Sequence, residues 1–181
     1  MTDVSARGEA TAGNERKGAG VSQASRARPL YSPEERVRRD TSVWTLVQGI
    51  LAPVQFLVFM VSLGLVLRTL ATGEGYAIAT ASIVVKTLIL YTIMITGSIW
   101  EKVVFDAWLF APAFFWEDVV SMLVLALHTA YLIALFTGAL GASELLWLAL
   151  AAYATYVINA AQFIHKLRMA RLGASHAGKV A

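Results

Sequence analysis

WTLVQGILAPVQFLVFMVSLGLVL, residues 44–67, carries no charged side chain until Arg68 closes it. Wound as a helix at about 1.5 Å per residue, such a run covers the roughly 30 Å hydrocarbon core of a bilayer, so it reads as a membrane span. Three stretches of the same kind follow: 76–100, interrupted by Lys86, then 117–136, ended by Thr137 and Gly138, and 145–164, closed by His165 and Lys166. The links at 68–75 (RTLATGEG) and 137–143 (TGALGAS) are short and Gly-rich, which predicts two antiparallel helical hairpins. The link at 101–116 (EKVVFDAWLFAPAFFW) is aromatic and acidic at once. It is too apolar for a free loop and is broken by Pro112, so it reads as an interfacial or re-entrant segment between the second and third helices.

Composition agrees with an all-α integral membrane protein, a four-transmembrane-helix bundle. Of 181 residues, 57% are hydrophobic and 15% charged, against about 25% charged in an ordinary soluble domain. The charge is also unevenly placed: residues 1–40 hold eight basic and six acidic side chains, 41–164 three and six, and 165–181 four and none. Arg36, Arg38 and Arg39 before the first span, and Lys166, Arg168 and Arg171 after the last, place both termini in the cytoplasm by the positive-inside rule. With no cysteine there is no disulfide framework, no thiolate nucleophile and no cysteine-ligated metal. Three histidines leave little for a histidine-built metal site, and nucleic acid is not an expected partner.

Residues 1–29 mix Gly, Ala, Ser, Arg and Glu without an apolar face and read as a disordered tail, not a secretory signal. Ser32-Pro33-Glu34-Glu35 then places an N-cap, a first-turn proline and two acids in order, which predicts a helix start. Residues 30–172 form the membrane domain, and 173–181 a flexible C-terminal tail.

A polar side chain inside a span is costly, about 2.5–3.5 kcal/mol for a charged one on insertion scales, so each invites a functional reading. Lys86 and His128 are mid-span, Gln48 and Gln55 lie in the first span, and Asn159 and Gln162 near the end of the fourth. The plainer reading is that amides and histidine hydrogen-bond the helices together. At about 100° per residue, Glu117, Ser121 and His128 share one narrow face. Thr155, Asn159, Gln162 and Lys166 share another, and Tyr91, Ser98 and Lys102 a third. Converging stripes would enclose a polar cavity open to the cytoplasm, and the angles alone do not bring the faces together.

The densest chemistry flanks the aromatic link: Glu101, Lys102, Asp106, Glu117 and Asp118. A carboxyl buried among Trp100, Trp108, Phe114, Phe115 and Trp116 is suited to hold a proton for general acid catalysis. The competing readings are an ordinary Glu101/Lys102 ion pair and first-turn acids that complement a helix dipole. Lys86 is open to three roles: snorkelling, an ion pair, or a substrate carboxylate. A Lys86/His128 contact is unfavourable unless the histidine is neutral, and a neutral mid-span histidine is also a candidate magnesium ligand for a chlorin.

The stretches WTLVQGILAPVQFLVF (44–59), TASIVVKTLILYTIMITGSIWEKVVF (80–105), LFAPAFFWEDV (109–119), LHTAYL (127–132) and YATYVINAAQFIHKLR (153–168) closely resemble the 2-vinyl bacteriochlorophyllide hydratase family of bacteriochlorophyll biosynthesis. The likeness covers about residues 30–172. It implies a hydro-lyase of the bacterial inner (intracytoplasmic) membrane, its site facing the cytoplasm. The enzyme would add water to the C3 vinyl group of chlorophyllide a or a 3-vinyl bacteriochlorophyllide, giving the 3-(1-hydroxyethyl) pigment. Its partners would be that pigment, membrane lipid and other enzymes of the pathway, with no cofactor beyond the magnesium the pigment carries. The resemblance assigns no residues, so roles rest on the chemistry of the side chains. Glu101 or Glu117 is the candidate proton donor, and Asp118 or Asp106 the group that orients water. Tyr91, Asn159 and Gln162 are candidate hydrogen-bond partners of water or ring substituents, Trp108 and Trp116 candidate stacking residues, Lys102 or Lys166 a candidate hold on the propionate, and His128 a candidate pigment contact. The alternatives are a non-catalytic chlorin-binding or photosystem-assembly protein with His128 as ligand, and a small transporter using Lys86.

Overall fold

The computed structural model describes residues 30–180, with side chains to Arg171; the expected N-terminal tail, 1–29, lies outside the described residues. The chain is all-helical, in five elements: α1 (Pro33–Thr41), α2 (Val43–Thr72), α3 (Tyr76–Phe105), α4 (Phe115–Thr137) and α5 (Ala142–Val180). The four after α1 are each long and apolar enough to cross a membrane.

The start of α1 forms as its sequence predicts. Ser32 N–H donates to Glu35 Oε2 at 2.7 Å and Glu35 N–H donates back to Ser32 Oγ at 3.2 Å, a reciprocal cap with Pro33 in the first turn. Ser42 ends α1 and caps α2, its Oγ accepting from Trp44 N–H at 3.2 Å. Gly73 and Gly138 terminate α2 and α4 in the left-handed region, at φ 72° and 65°, where any other residue but Asn or Asp would be strained. The hairpin links therefore shrink to the few residues between helices. α5 continues through 173–180, the stretch whose composition reads as a tail.

α2 packs along α3 and α4 along α5; the two hairpins meet chiefly through α2 and α5, and the seam between α3 and α4 is sparser. The shared core holds Phe59, Val66, Ile83, Leu90, Val124, Tyr131 and Tyr153. Leu57, Val61, Ile95, Ile133, Phe136, Trp147 and Ile158 face outward. A helix apolar on all sides belongs in a core or in lipid, and these outward faces fit lipid.

The link between α3 and α4 is shorter than the sequence suggests, because α3 runs on through Glu101 to Phe105. A small aromatic core of Tyr31, Val104 and Phe114, backed by Trp100, Phe105 and Phe163, packs beneath it. Tyr31 stacks on Phe105 at 5.6 Å and Phe114 on Phe163 at 5.8 Å, while the Arg39 guanidinium sits 4.6 Å over the Tyr31 ring. The basic helix α1 is thus pinned across the loop end of the bundle.

Candidate functional site

The α3–α4 link is held down by carboxylates. Glu101, in the last turn of α3, accepts from Ala111 N–H at 3.2 Å, and Asp118, in the first turn of α4, accepts from Phe110 N–H at 2.9 Å. Both side chains are buried. The two carboxyls thus reach the link from its two ends and hold the amides of adjacent residues, Phe110 and Ala111. Above them Phe110 is at φ 58°, a left-handed backbone rare for a bulky residue, and Asp118 holds its amide there.

Beside this pair, the α4 and α5 stripes meet. Glu117 forms an ion pair with Lys166 of α5. Asn159 Nδ2 donates to the Glu117 carbonyl oxygen at 2.9 Å, and Ser121 Oγ lies 2.9 Å from the same oxygen and 3.2 Å from Asn159 Oδ1. The Lys166 ammonium also lies 5.1 Å over the Phe114 ring. Gln162, on the same helix as Asn159 and Lys166, keeps a buried Oε1 with no hydrogen-bond partner. The result is one compact polar cluster, Glu101, Asp118, Glu117, Lys166, Ser121 and Asn159, roofed by the link and floored by Phe114.

Other candidates stand apart from it. Asp106 is at φ 62° in the α3 C-cap and is exposed, with Lys102 Nζ at 2.6 Å from its Oδ1; the lysine holds its carboxyl below the usual carboxylate range. It is exposed, whereas the Glu101 and Asp118 carboxyls are buried. Trp108 and Trp116 are 60% and 70% exposed, so the packed aromatic floor is Phe114 and Trp100 instead. Tyr91 bonds Thr129 at 2.8 Å on the outer side of the α3–α4 seam, so the third stripe does not join the other two.

His128 is turned to Lys86. Its Nε2 is 2.5 Å from Lys86 Nζ and its Nδ1 is 2.8 Å from the Val124 carbonyl oxygen. The carbonyl can only accept, so the proton is on Nδ1 and Nε2 accepts from the lysine. The histidine is neutral, as the pairing requires, and neither nitrogen is open to the magnesium of a chlorin. Tyr153, whose OH is 2.5 Å from Ser62 Oγ, and Tyr156 complete this mid-bundle cluster. Sequence periodicity missed those two tyrosines, although their spacing of three on α5 puts them on one face. Among the described residues no three His, Asp or Glu side chains gather as a metal-ligand set.

A family model described as 2-vinyl bacteriochlorophyllide hydratase matches residues 31–169. The chain is 70% identical over 152 residues, 84% of its length and 94% of the relative's, to the 2-vinyl bacteriochlorophyllide hydratase of Cereibacter sphaeroides. It is 68% identical over 146 residues, 81% of its length and 85% of the relative's, to the protein of the same name from Rhodobacter capsulatus. No solved structure matches the chain.

Proposed function

The chain belongs to the 2-vinyl bacteriochlorophyllide hydratase family, and from that membership we propose that it adds water across the C3 vinyl group of chlorophyllide a or a 3-vinyl bacteriochlorophyllide. It is a hydratase, a hydro-lyase of bacteriochlorophyll biosynthesis. The product is the 3-(1-hydroxyethyl) pigment, and the reaction takes place at the cytoplasmic face of the intracytoplasmic membrane, among lipid and neighbouring pathway enzymes.

The observation that carries the site assignment is the buried Glu101/Asp118 pair beneath the α3–α4 link. The vinyl group is conjugated to the macrocycle. Proton transfer from the pair to the terminal vinyl carbon breaks the π bond, forms a C–H bond and leaves the positive charge on the carbon next to the ring, where the π system spreads it. Water attacks that carbon through oxygen, and its surplus proton passes to the carboxylate left behind. Atoms and charge balance, and no electrons are exchanged with another molecule, so the chemistry draws on no redox group. Pre-positioned acid and base groups of this kind contribute about 10²–10⁴-fold.

Glu101 is assigned as the proton donor and Asp118 as its partner, which holds the Phe110 amide. Glu117 is already committed to Lys166, so it serves with Asn159 and Ser121 to orient water, and Gln162, with its unpartnered oxygen, extends the same row. The test is expression in a non-phototrophic host, feeding of a 3-vinyl chlorophyllide, and mass spectrometry. A gain of one water by wild type and not by Glu101→Gln is expected; equal gain by both would overturn the acid assignment, and no gain by wild type the substrate assignment.

A further inference from the structure

The mechanism above leaves one buried basic group unused. Lys86 is fully buried in α3, its Nζ donating to His128 Nε2 at 2.5 Å and lying 4.4 Å and 5.1 Å over the rings of Tyr156 and Tyr153. All three neighbours are uncharged. The ion pairs among the described residues are Arg39 with Asp40, Lys102 with Asp106 and Lys166 with Glu117, and none reaches Lys86. An intramembrane basic group without a counter-charge is costly, and such groups mark ligand or ion sites. A second unsatisfied group lies nearby in the fold: Gln55, one helical turn before Phe59 on α2, is buried with both amide atoms unpartnered. The Phe59 ring packs on Tyr156 at 4.9 Å and on Tyr153 at 5.4 Å. An ammonium has three donors and His128 takes one of them, so an anionic oxygen ligand would supply both the remaining acceptor and the missing counter-charge.

The seam between α3 and α4, the helices that carry Lys86 and His128, is sparse. Thr129, the residue after His128, lines an open groove of about 320 Å³ with Tyr91, Met94, Ile95 and Leu125. The Tyr91 OH and Thr129 Oγ1, 2.8 Å apart, are the polar contact that closes the seam there. One residue of α4 therefore faces the groove and the next one back touches Lys86. Lys86 is separated from Glu101 by fifteen residues of continuous helix, about 22 Å, farther than one macrocycle and its side arm reach.

We propose that Lys86 and the α3–α4 groove form a second pigment seat, separate from the reacting carboxyls, in which the amine holds the carboxylate of a flat, membrane-soluble pigment whose edge rests in the groove. The choice of pigment as the carboxylate bearer rests on the hydratase reading. The seat takes substrate or product alike, since hydration leaves the propionate untouched.

The experiment is equilibrium binding of a 3-vinyl chlorophyllide and of its propionate methyl ester to the intact protein in lipid nanodiscs, followed by pigment absorption. Wild type should bind two free-acid pigments, and the ester should lose one of the two or bind it at least tenfold more weakly. Lys86→Met/His128→Leu, which removes the amine and its acceptor together, should bind acid and ester alike at that seat. Thr129→Trp, which fills the groove without touching Lys86, should remove the same component. A single binding component in wild type, or an acid preference that survives both variants, overturns the proposal. Binding is read without turnover, so failure to add water would sink the hydratase reading and leave this result standing.

Discussion

The loop end and the middle of the bundle hold similar numbers of polar side chains in opposite electrical arrangements. At the loop end, Glu101 and Asp118 are met by backbone amides and Glu117 by Lys166, so negative charge is answered by donors at each position. In the middle, Lys86 is met by a neutral imidazole and two aromatic rings. The first arrangement can lose and regain a proton, because the surrounding dipoles already favour an anion. The second is a basic group with a neutral acceptor and no counter-charge. The proposed assignments give chemistry to the first and ligand binding to the second, and each variant below alters one side of that contrast.

The largest effect is expected at Glu101. Glu101→Gln keeps the shape and the acceptor for Ala111 N–H but cannot deliver a proton, so turnover should fall about 10²–10⁴-fold. Asp118→Asn should fall by a comparable factor, because the donor loses its acidic partner. Asp106→Asn should leave turnover near wild type, since that carboxyl is exposed and paired with Lys102. Pigment absorption in membranes measures all three, and a loss at Asp106 as deep as at Glu101 would erase the distinction between buried pair and exposed cap.

Next comes the ion pair. Glu117→Gln leaves the half-buried Lys166 ammonium without its partner and should lower stability by about 1–3 kcal/mol. Lys166→Met in the same chain should recover part of that loss, because removing both members of a pair costs less than removing one. Thermal unfolding in detergent reads the difference. The middle of the bundle should behave in the opposite way. Lys86→Met/His128→Leu deletes a basic group that has no counter-charge together with its only listener, and stability should hold or rise by about 1 kcal/mol. A loss there as large as that of Glu117→Gln would mean that the mid-bundle pair is structural glue.

The four spans, the two short links and the capped start at Ser32 were legible because each depends on neighbours in sequence. Glu117, Ser121 and Asn159 were legible in part: helical angles put the first two on one face, and the packing of α4 on α5 brought that face to Asn159. The same angles misled for Tyr91, because the rotation of α3 against α4 turns it outward to Thr129. Periodicity states which residues share a face and is silent on how a helix is rotated against its neighbour. Lys86 and His128 were visible singly as expensive residues. Their union depends on the relative height of two helices and on a tautomer fixed by the Val124 carbonyl, neither of which a sequence displays. The Glu101/Asp118 pair was hidden for a third reason. Its geometry comes from an irregular link with two non-glycine residues in the left-handed region, Asp106 and Phe110.

The smallest effect expected is at the first of those two residues. Asp106 ends α3 at φ 62°, a conformation that Asn also tolerates, so Asp106→Asn removes the charge and keeps the backbone. What is lost is an exposed i,i+4 pair with Lys102, and exposed pairs contribute little and are weakened by salt. The pH dependence carries a definite sign. Lys102 holds the Asp106 carboxyl below its usual range, so the pair's contribution is fully present above the unfolded-state value near 4 and disappears as pH falls through the lowered folded-state value. The small advantage of wild type over Asp106→Asn in thermal unfolding should therefore be constant from pH 7 down to about 5 and vanish on further acidification. An advantage that grew as the pH was lowered would mean that Asp106 acts as a protonated acid, which would place it with the buried pair and break the division between the exposed rim of the link and the carboxyls beneath it.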